Sequence, residues 1–413
     1  MTMASDRPRV AVTGLGVKTP AGSDLETFWA TLLAGRSCAA PIGRFDPSHL
    51  PVRFACEVAD FDPGPYLGYK EARRTDRVAQ LGFAAAADAL ANAGDPSTDP
   101  ARCGVVAGTG VGGLMTLEEQ ETEFVHRGAG RVSPFFVPMM MANATAAIVG
   151  MKLGWTGPNF CVATACAAGS HSVGEGARLI REGSCDVVLA GGAEAAVTPI
   201  AIAAFARMGA LSGREDAPEL ASRPFDAARD GFVIGEGAAF LVLERYDRAM
   251  ARGARIYGEI AGYGRNADAY HVTAPSPGGV GAAECMRLAL ADAGIEPSAI
   301  GHVNAHGTST QLNDAAEAEA VRKVFGDGAP PVTSLKGSFG HLIGAAGAAE
   351  AVATLLAFRD GVVPPTANFE ACEPELDIEV VAGAPLELAP APAVSNSFGF
   401  GGHNATLVLA PAS

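Results

Sequence analysis

Near-continuous apolar runs, most of them closed by glycine, constrain this chain of 413 residues more than any other feature. They lie at 9–17, 103–108, 185–194, 237–244, 255–264, 302–308 and 393–402. A strand that is apolar on both sides needs both faces of its sheet covered, and helices are the usual cover. Helical spacing supplies them: Leu25 to Leu33 with Asp24 near its start, about Arg74 to Ala93 closed by Gly94, and about Gly281 to Ala293 closed by Gly294. A further helix follows Cys166, with Val173, Ala177 and Ile180 along one face. The alternation predicts an α/β architecture. Residues 41–70, rich in Pro, Asp and Gly, read as surface loop, and 212–230 as polar loop.

The runs also repeat. The strand and glycine turn at 255–264 echo those at 9–17, His302–Thr308 takes the place of Val105–Gly110, and Ala393–Gly402 that of the strand at 186–194. Two halves, 1–252 and 253–413, therefore share a strand–helix–strand order, and a site fits at their junction.

Gly108-Thr109-Gly110-Val111-Gly112-Gly113 satisfies the G-x-G-x-x-G spacing of a dinucleotide site. Such a site needs an acid about 20 residues on, and 128–134 offers neither acid nor strand. A tight turn that lets backbone approach a ligand or a neighbouring subunit fits better. The net charge of −15 argues against nucleic acid, which calls for a basic surface. One local basic patch is Lys70, Arg73, Arg74 and Arg77. No window of about 18 apolar residues runs free of Gly, Pro or charge, so neither a membrane span nor a signal peptide is expected, and the default location is the cytoplasm. The eight cysteines contain no Cys-x-x-Cys.

Cys166 stands where an apolar run meets the small-residue segment Ala167-Ala168-Gly169-Ser170 that opens a helix. Unpaired N–H groups and the helix dipole there favour a thiolate. The bland alternative is a buried structural cysteine. His306 in Asn304-Ala305-His306-Gly307-Thr308 and His341 in Gly340-His341-Leu342 sit in turns at strand and helix ends. Together the three residues suggest nucleophilic catalysis. A zinc site of the same three is the competing reading, weakened by the lack of short ligand pairing.

These residues, with Thr13-Gly14-Leu15-Gly16, Ala190-Gly191-Gly192-Ala193-Glu194, Ser222-Arg223-Pro224-Phe225-Asp226, Val363-Pro364-Pro365-Thr366 and Asn396-Ser397-Phe398-Gly399-Phe400-Gly401-Gly402, bring a family into view. The chain resembles the elongating, malonyl-decarboxylating β-ketoacyl-acyl-carrier-protein synthases of the thiolase-fold superfamily, including the ketosynthase subunits of type II polyketide synthases. The resemblance implies a duplicated α-β-α-β-α layered fold with two pseudo-twofold-related halves. It implies that Cys166 takes an acyl chain as thioester, that the N–H groups of Cys166 and Phe400 form an oxyanion hole, and that His306 and His341 stabilise an enolate made by decarboxylation. Lys336, paired with Asp314 and Glu317, then fixes the local field, Thr308 and Thr310 bind the phosphopantetheine arm, and Phe400 gates the acyl pocket. No metal or organic cofactor is implied. The implied partners are acyl carrier protein and a second subunit, either the same chain or a chain-length factor. Retention of Cys166 speaks against this chain being such a factor itself. A degradative thiolase is the alternative within the superfamily, but it uses a second cysteine as base, and only Cys372 lies near in sequence. Ala167-Ala168 and His403, where relatives carry hydroxyl residues, are departures that bear on chain length and substrate.

Overall fold

The computed structural model describes residues 7–412 apart from 95 and 97. Ten strands among these residues form one sheet: β1 (Val10–Lys18), β2 (Cys103–Gly108), β3 (Asn159–Val162), β4 (Val187–Glu194), β5 (Gly237–Arg245), β6 (Gly258–Ala267), β7 (His302–Asn304), β8 (Val332–Thr333), β9 (Ala393–Gly399) and β10 (His403–Ala410). Their order is β8-β7-β9-β10-β6-β1-β5-β4-β2-β3. Adding five to each strand of the first half gives its counterpart in the second, and the order then reads the same from either edge. The directions match as well: β2 is parallel to β3 and β4, as β7 is to β8 and β9, and the remaining pairs are antiparallel. The halves join where Ala11 and Val12 of β1 pair with Glu259 and Gly258 of β6.

Two helices, Ala168–Arg181 and Ala346–Asp360, pack on each other between the half-sheets. The second is buried from Ala346 to Ala357, which fits a segment with no polar face. The helices Arg77–Asn92 and Val280–Ala293 cover the outer faces. The layers are therefore helix, sheet, helix, sheet, helix. Glycine explains why the outer helices lie so close. A Cβ on Gly14 or Gly16 of β1 would fall 2.2 or 2.1 Å from the carbonyl oxygens of Ala89 or Ala85, and one on Gly262 or Gly264 of β6 would meet those of Ala289 or Cys285 at 2.3 or 2.2 Å. The repeat visible in the sequence is this helix-on-strand contact made twice.

Three expectations need correction. The helix expected from Arg74 begins at Arg77, because the Asp76 carboxylate accepts from Val78 N (2.9 Å) and caps it there. Residues 41–70 are not simply surface loop: Phe54–Ala55 pairs with Ala40–Pro41, two short helices follow at Gly64–Leu67 and Tyr69–Ala72, and Phe54, Ala55 and Cys56 join the apolar cluster around Cys166. The polar loop at 212–230 buries Ser222, Arg223, Phe225, Asp226 and Arg229. Buried side chains there find partners inside: Arg223 Nε donates to Asp226 Oδ1 (2.7 Å) and Ser222 Oγ to the Lys336 carbonyl (2.6 Å). No helix among the described residues is long and apolar enough to cross a membrane.

Candidate active site

The edge strand β3 runs into a tight turn, Ala165–Ala167, and then into the central helix. Ala165 takes a left-handed backbone (φ +48°), so the chain bends sharply just before Cys166. From the other half come His306, after β7, and His341, in the link between Lys336–Phe339 and the second central helix. Ligand atoms of Cys166, His306 and His341 all lie within 4.8 Å of one another. The sequence places them 140 and 35 residues apart; the joining of the two half-sheets brings them together.

Each histidine is held in one tautomer. The Lys336 ammonium lies 3.4 Å from His306 Nδ1 and can only donate, so Nδ1 accepts and the ring proton sits on Nε2. Ile343 N donates to His341 Nδ1 (3.2 Å), with the same consequence. The rings meet edge to face, centroids 5.4 Å apart, and Phe398 and Phe232 pack edge-on against His306 and His341. Burial, and then the Lys336 charge, hold both imidazoles well below the ordinary histidine range. The pair is thus two neutral N–H donors. The same lysine makes the zinc reading a poor fit: a dication on this triad would sit beside a buried ammonium, and no carboxylate among the described residues completes the ligand set.

Lys336 does not pair with Asp314 and Glu317 as expected. Its Nζ donates to the His306 carbonyl (2.6 Å) and to Glu350 Oε1, and both side chains are fully buried. The two expected acids are occupied by backbone. Glu317 accepts from His306 N and Gly307 N (both 2.8 Å), and Asp314 from Thr308 N (2.9 Å), Ser309 N (3.1 Å) and Phe225 N (2.7 Å). They fold the turn that carries His306, Thr308 and Thr310. Glu350 escaped the sequence reading, although a lone acid in the apolar run Ala346–Leu356 was a usable signal. Glu194 was missed as a site support. It accepts from Thr109 Oγ1 (2.9 Å), Gly110 N (2.6 Å) and Gly344 N (3.0 Å), joining the two loops that flank the nucleophile. The glycine motif at 108–113 has no free cradle for a diphosphate: Gly110 N and Val111 N donate to Glu194, Gly112 N to Thr109 Oγ1, and Thr109 N and Gly113 N to the Val162 and Met140 carbonyls.

The turn after β9 completes the site. Gly399 lies so close that a Cβ would fall 2.8 Å from Thr164 O and 3.1 Å from Cys166 N, and this approach brings the Phe400 N–H to the Cys166 sulfur. A thiolate is not what results at rest. Burial pushes the Cys166 thiol up to about 11, outweighing the pull of Lys336 and of the Phe400 and Cys166 N–H groups. The helix-terminus expectation omitted the desolvation of a residue that is 8% exposed. Alkylation of Cys166 by iodoacetamide is therefore expected to rise roughly tenfold per pH unit from 7 to 9. A plateau below pH 8, followed by mass spectrometry, would contradict that.

A cavity of about 550 Å³ opens onto the sulfur. Its apolar part includes Val111, Phe205, Met208 and Ile343, and its polar part Thr308, Thr310 and Asn313. Thr308 Oγ1 and Thr310 Oγ1 are 2.9 Å apart. The basic patch is smaller than the sequence suggests: Arg77 is held by Glu236 (2.7 Å), Arg74 lies over the Phe135 ring, and Lys70 and Arg73 are exposed.

Comparison with known proteins places these features in context. Residues 7–249 match the model for the beta-ketoacyl synthase N-terminal domain and 257–370 that for its C-terminal domain. The 3-oxoacyl-[acyl-carrier-protein] synthase 2 of Synechocystis is 47% identical over 410 residues, covering 98% of each chain. Among solved structures, the ishigamide ketosynthase/chain length factor superposes with TM-score 0.93 at 37% identity, over 98% of this chain and all of the other. A type II polyketide ketosynthase bound to the hexaketide, in complex with its acyl-carrier protein, gives TM-score 0.90 at 31% identity, over 99% of this chain and all of the other.

Proposed function

The chain belongs to the β-ketoacyl synthase family, and from that premise we propose that its Cys166, His306 and His341 carry out decarboxylative condensation on carrier-bound thioesters. The enzyme is a 3-oxoacyl-[acyl-carrier-protein] synthase, an acyltransferase. The observation that carries the assignment of roles is the meeting of one thiol with two neutral Nε2–H donors and the Phe400 N–H.

In the first step the Cys166 sulfur attacks the acyl thioester of the carrier. The tetrahedral oxyanion is held by the N–H groups of Cys166 and Phe400. The carrier thiol leaves with the proton that Cys166 gave up. Malonyl carrier then enters along Thr308 and Thr310. Its carboxyl C–C bond breaks, carbon dioxide departs with no electrons from that bond, and the pair becomes an enolate. The enolate oxygen accepts from Nε2–H of both histidines, and two neutral donors serve this better than an imidazolium that could protonate the carbanion. The enolate carbon attacks the Cys166 thioester, and a 3-oxoacyl carrier leaves. The thiolate regains one proton from solvent, so each cycle consumes a proton and releases carbon dioxide. No metal or redox group enters this sequence, because decarboxylation makes the carbanion.

The halves 1–252 and 253–413 act as a nucleophile half and a histidine half in this reading. The exposed edge of β3, with Phe160 38% exposed, suits docking of a second subunit, the same chain or a chain-length factor. The absence of any span-length apolar helix among the described residues is consistent with a cytoplasmic enzyme. Intact-protein mass spectrometry tests the function. Acyl carrier is expected to leave one acyl adduct on Cys166, which malonyl carrier discharges as 3-oxoacyl product. No adduct with any saturated or unsaturated acyl carrier would overturn the assignment, and discharge only with a second, nonidentical subunit would identify the heterodimeric form.

A further inference from the structure

His403 opens β10 directly after the turn that carries Phe400, and pairs with Gly399 to close the hairpin. Side chains alternate across a strand. Gly402 and Asn404 line the cavity of Cys166, whereas His403 lines a second cavity of about 440 Å³ on the other side of the turn, together with Thr164, His171, Tyr263 and Arg265.

The far wall of that second cavity is fixed. His171, five residues beyond Cys166 on the central helix and 7% exposed, has Nδ1 2.6 Å from the Tyr263 hydroxyl. That hydroxyl donates to Glu175 Oε1 (3.3 Å), which also accepts from Arg265 (2.8 Å). Gly174 leaves the space of its side chain to the Tyr263 ring, so helix and β6 are locked together.

His403 stands differently. Among the described residues its ring has no hydrogen-bond partner, and it lies over the bare face of Gly401, where a Cβ would fall 2.9 Å from Cδ2 and 3.0 Å from Nε2. Gly401 needs its left-handed backbone (φ +87°), and its N–H donates to the Val272 carbonyl (2.7 Å). The turn is thus held at one end by the close approach of Gly399 to Cys166 N, at its tip by Val272, and from behind by the imidazole.

We propose that His403 is a positioning residue: its imidazole props the Gly399–Gly402 turn from behind and fixes the Phe400 N–H against the Cys166 sulfur. The proposal rests on the assignment of Cys166 and the Phe400 N–H given above. An oxyanion donor acts only when aimed at the position where charge develops, so a turn that sags into the second cavity slows acyl transfer without weakening carrier binding.

Single-turnover acylation of Cys166 by acyl carrier, followed by mass, provides the test. His403→Ala is expected to lower the maximal rate roughly tenfold with an unchanged half-saturating carrier concentration. His403→Gln, whose longer side chain still reaches Gly401, stays within roughly threefold of the parent rate. The melting temperature stays as in the parent for both, and iodoacetamide alkylation of Cys166, which builds no oxyanion, falls less than acylation does. The proposal is overturned by an unaltered rate in His403→Ala, by equal losses in the two variants, or by a loss of alkylation as large as the loss of acylation. Failure of the underlying assignment is separate, since the parent protein would then take up no acyl group at all.

Discussion

Replacing Cys166 by alanine is expected to lower condensation by about 10⁴-fold or more while malonyl carrier continues to lose carbon dioxide. The two outcomes separate because the two half-reactions use different groups. Acyl transfer needs the sulfur, and without it no thioester forms and nothing receives the enolate. Decarboxylation needs charge stabilisation at the enolate oxygen, and the Nε2–H donors of His306 and His341 remain in place, fixed by Lys336 and Ile343 N. His306→Ala and His341→Ala should show the reverse. Each keeps the acyl adduct on Cys166 and loses roughly 10²- to 10³-fold in carbon dioxide release, the usual effect of removing one preorganised donor. Carbon dioxide release and intact mass, measured side by side on the three variants, decide the matter. Loss of decarboxylation in Cys166→Ala, or of acylation in either histidine variant, would break the division of roles.

Lys336→Ala carries the second large effect, and this one is on stability. Lys336 and Glu350 are both fully buried, and Glu350 Oε2 has no hydrogen-bond partner, so the lysine is the main compensation for that carboxylate. Removing one member of a buried pair leaves a charge without a partner, at a cost of about 3–5 kcal/mol. Removing both members costs far less, because an apolar pair of similar volume needs no compensation. Lys336→Met with Glu350→Leu should therefore recover most of the denaturant midpoint lost in Lys336→Ala. It should not recover condensation. His306 Nδ1 would still lack its donor, the ring would be free to carry its proton on either nitrogen, and one enolate donor would be lost for part of the time. If the double variant condensed at the parent rate, the lysine would have only a structural role.

The sequence by itself determined the layered α/β fold and the positions of the reacting groups. Apolar runs covered on both faces, repeated with the same glycines at 14, 16, 262 and 264, leave little choice of architecture, because each glycine marks a place where a helix lies on a strand. Cys166, His306 and His341 stood out for a local reason: each occupies the end of a strand or helix, with small residues beside it. What only the tertiary structure decided concerns burial and partnership. The Cys166 thiol is protonated at rest because the assembled core desolvates it, and no helix N-terminus read from sequence reports that. Lys336 turns to Glu350, on a buried helix, because Asp314 and Glu317 are consumed by backbone N–H groups. The polar stretch at 212–230 is buried because its charges meet each other inside, which a count of polar residues cannot register. Periodicity and residue type fix what one segment does along its own length. The strength and sign of an electrostatic effect depend on what the rest of the fold packs around it.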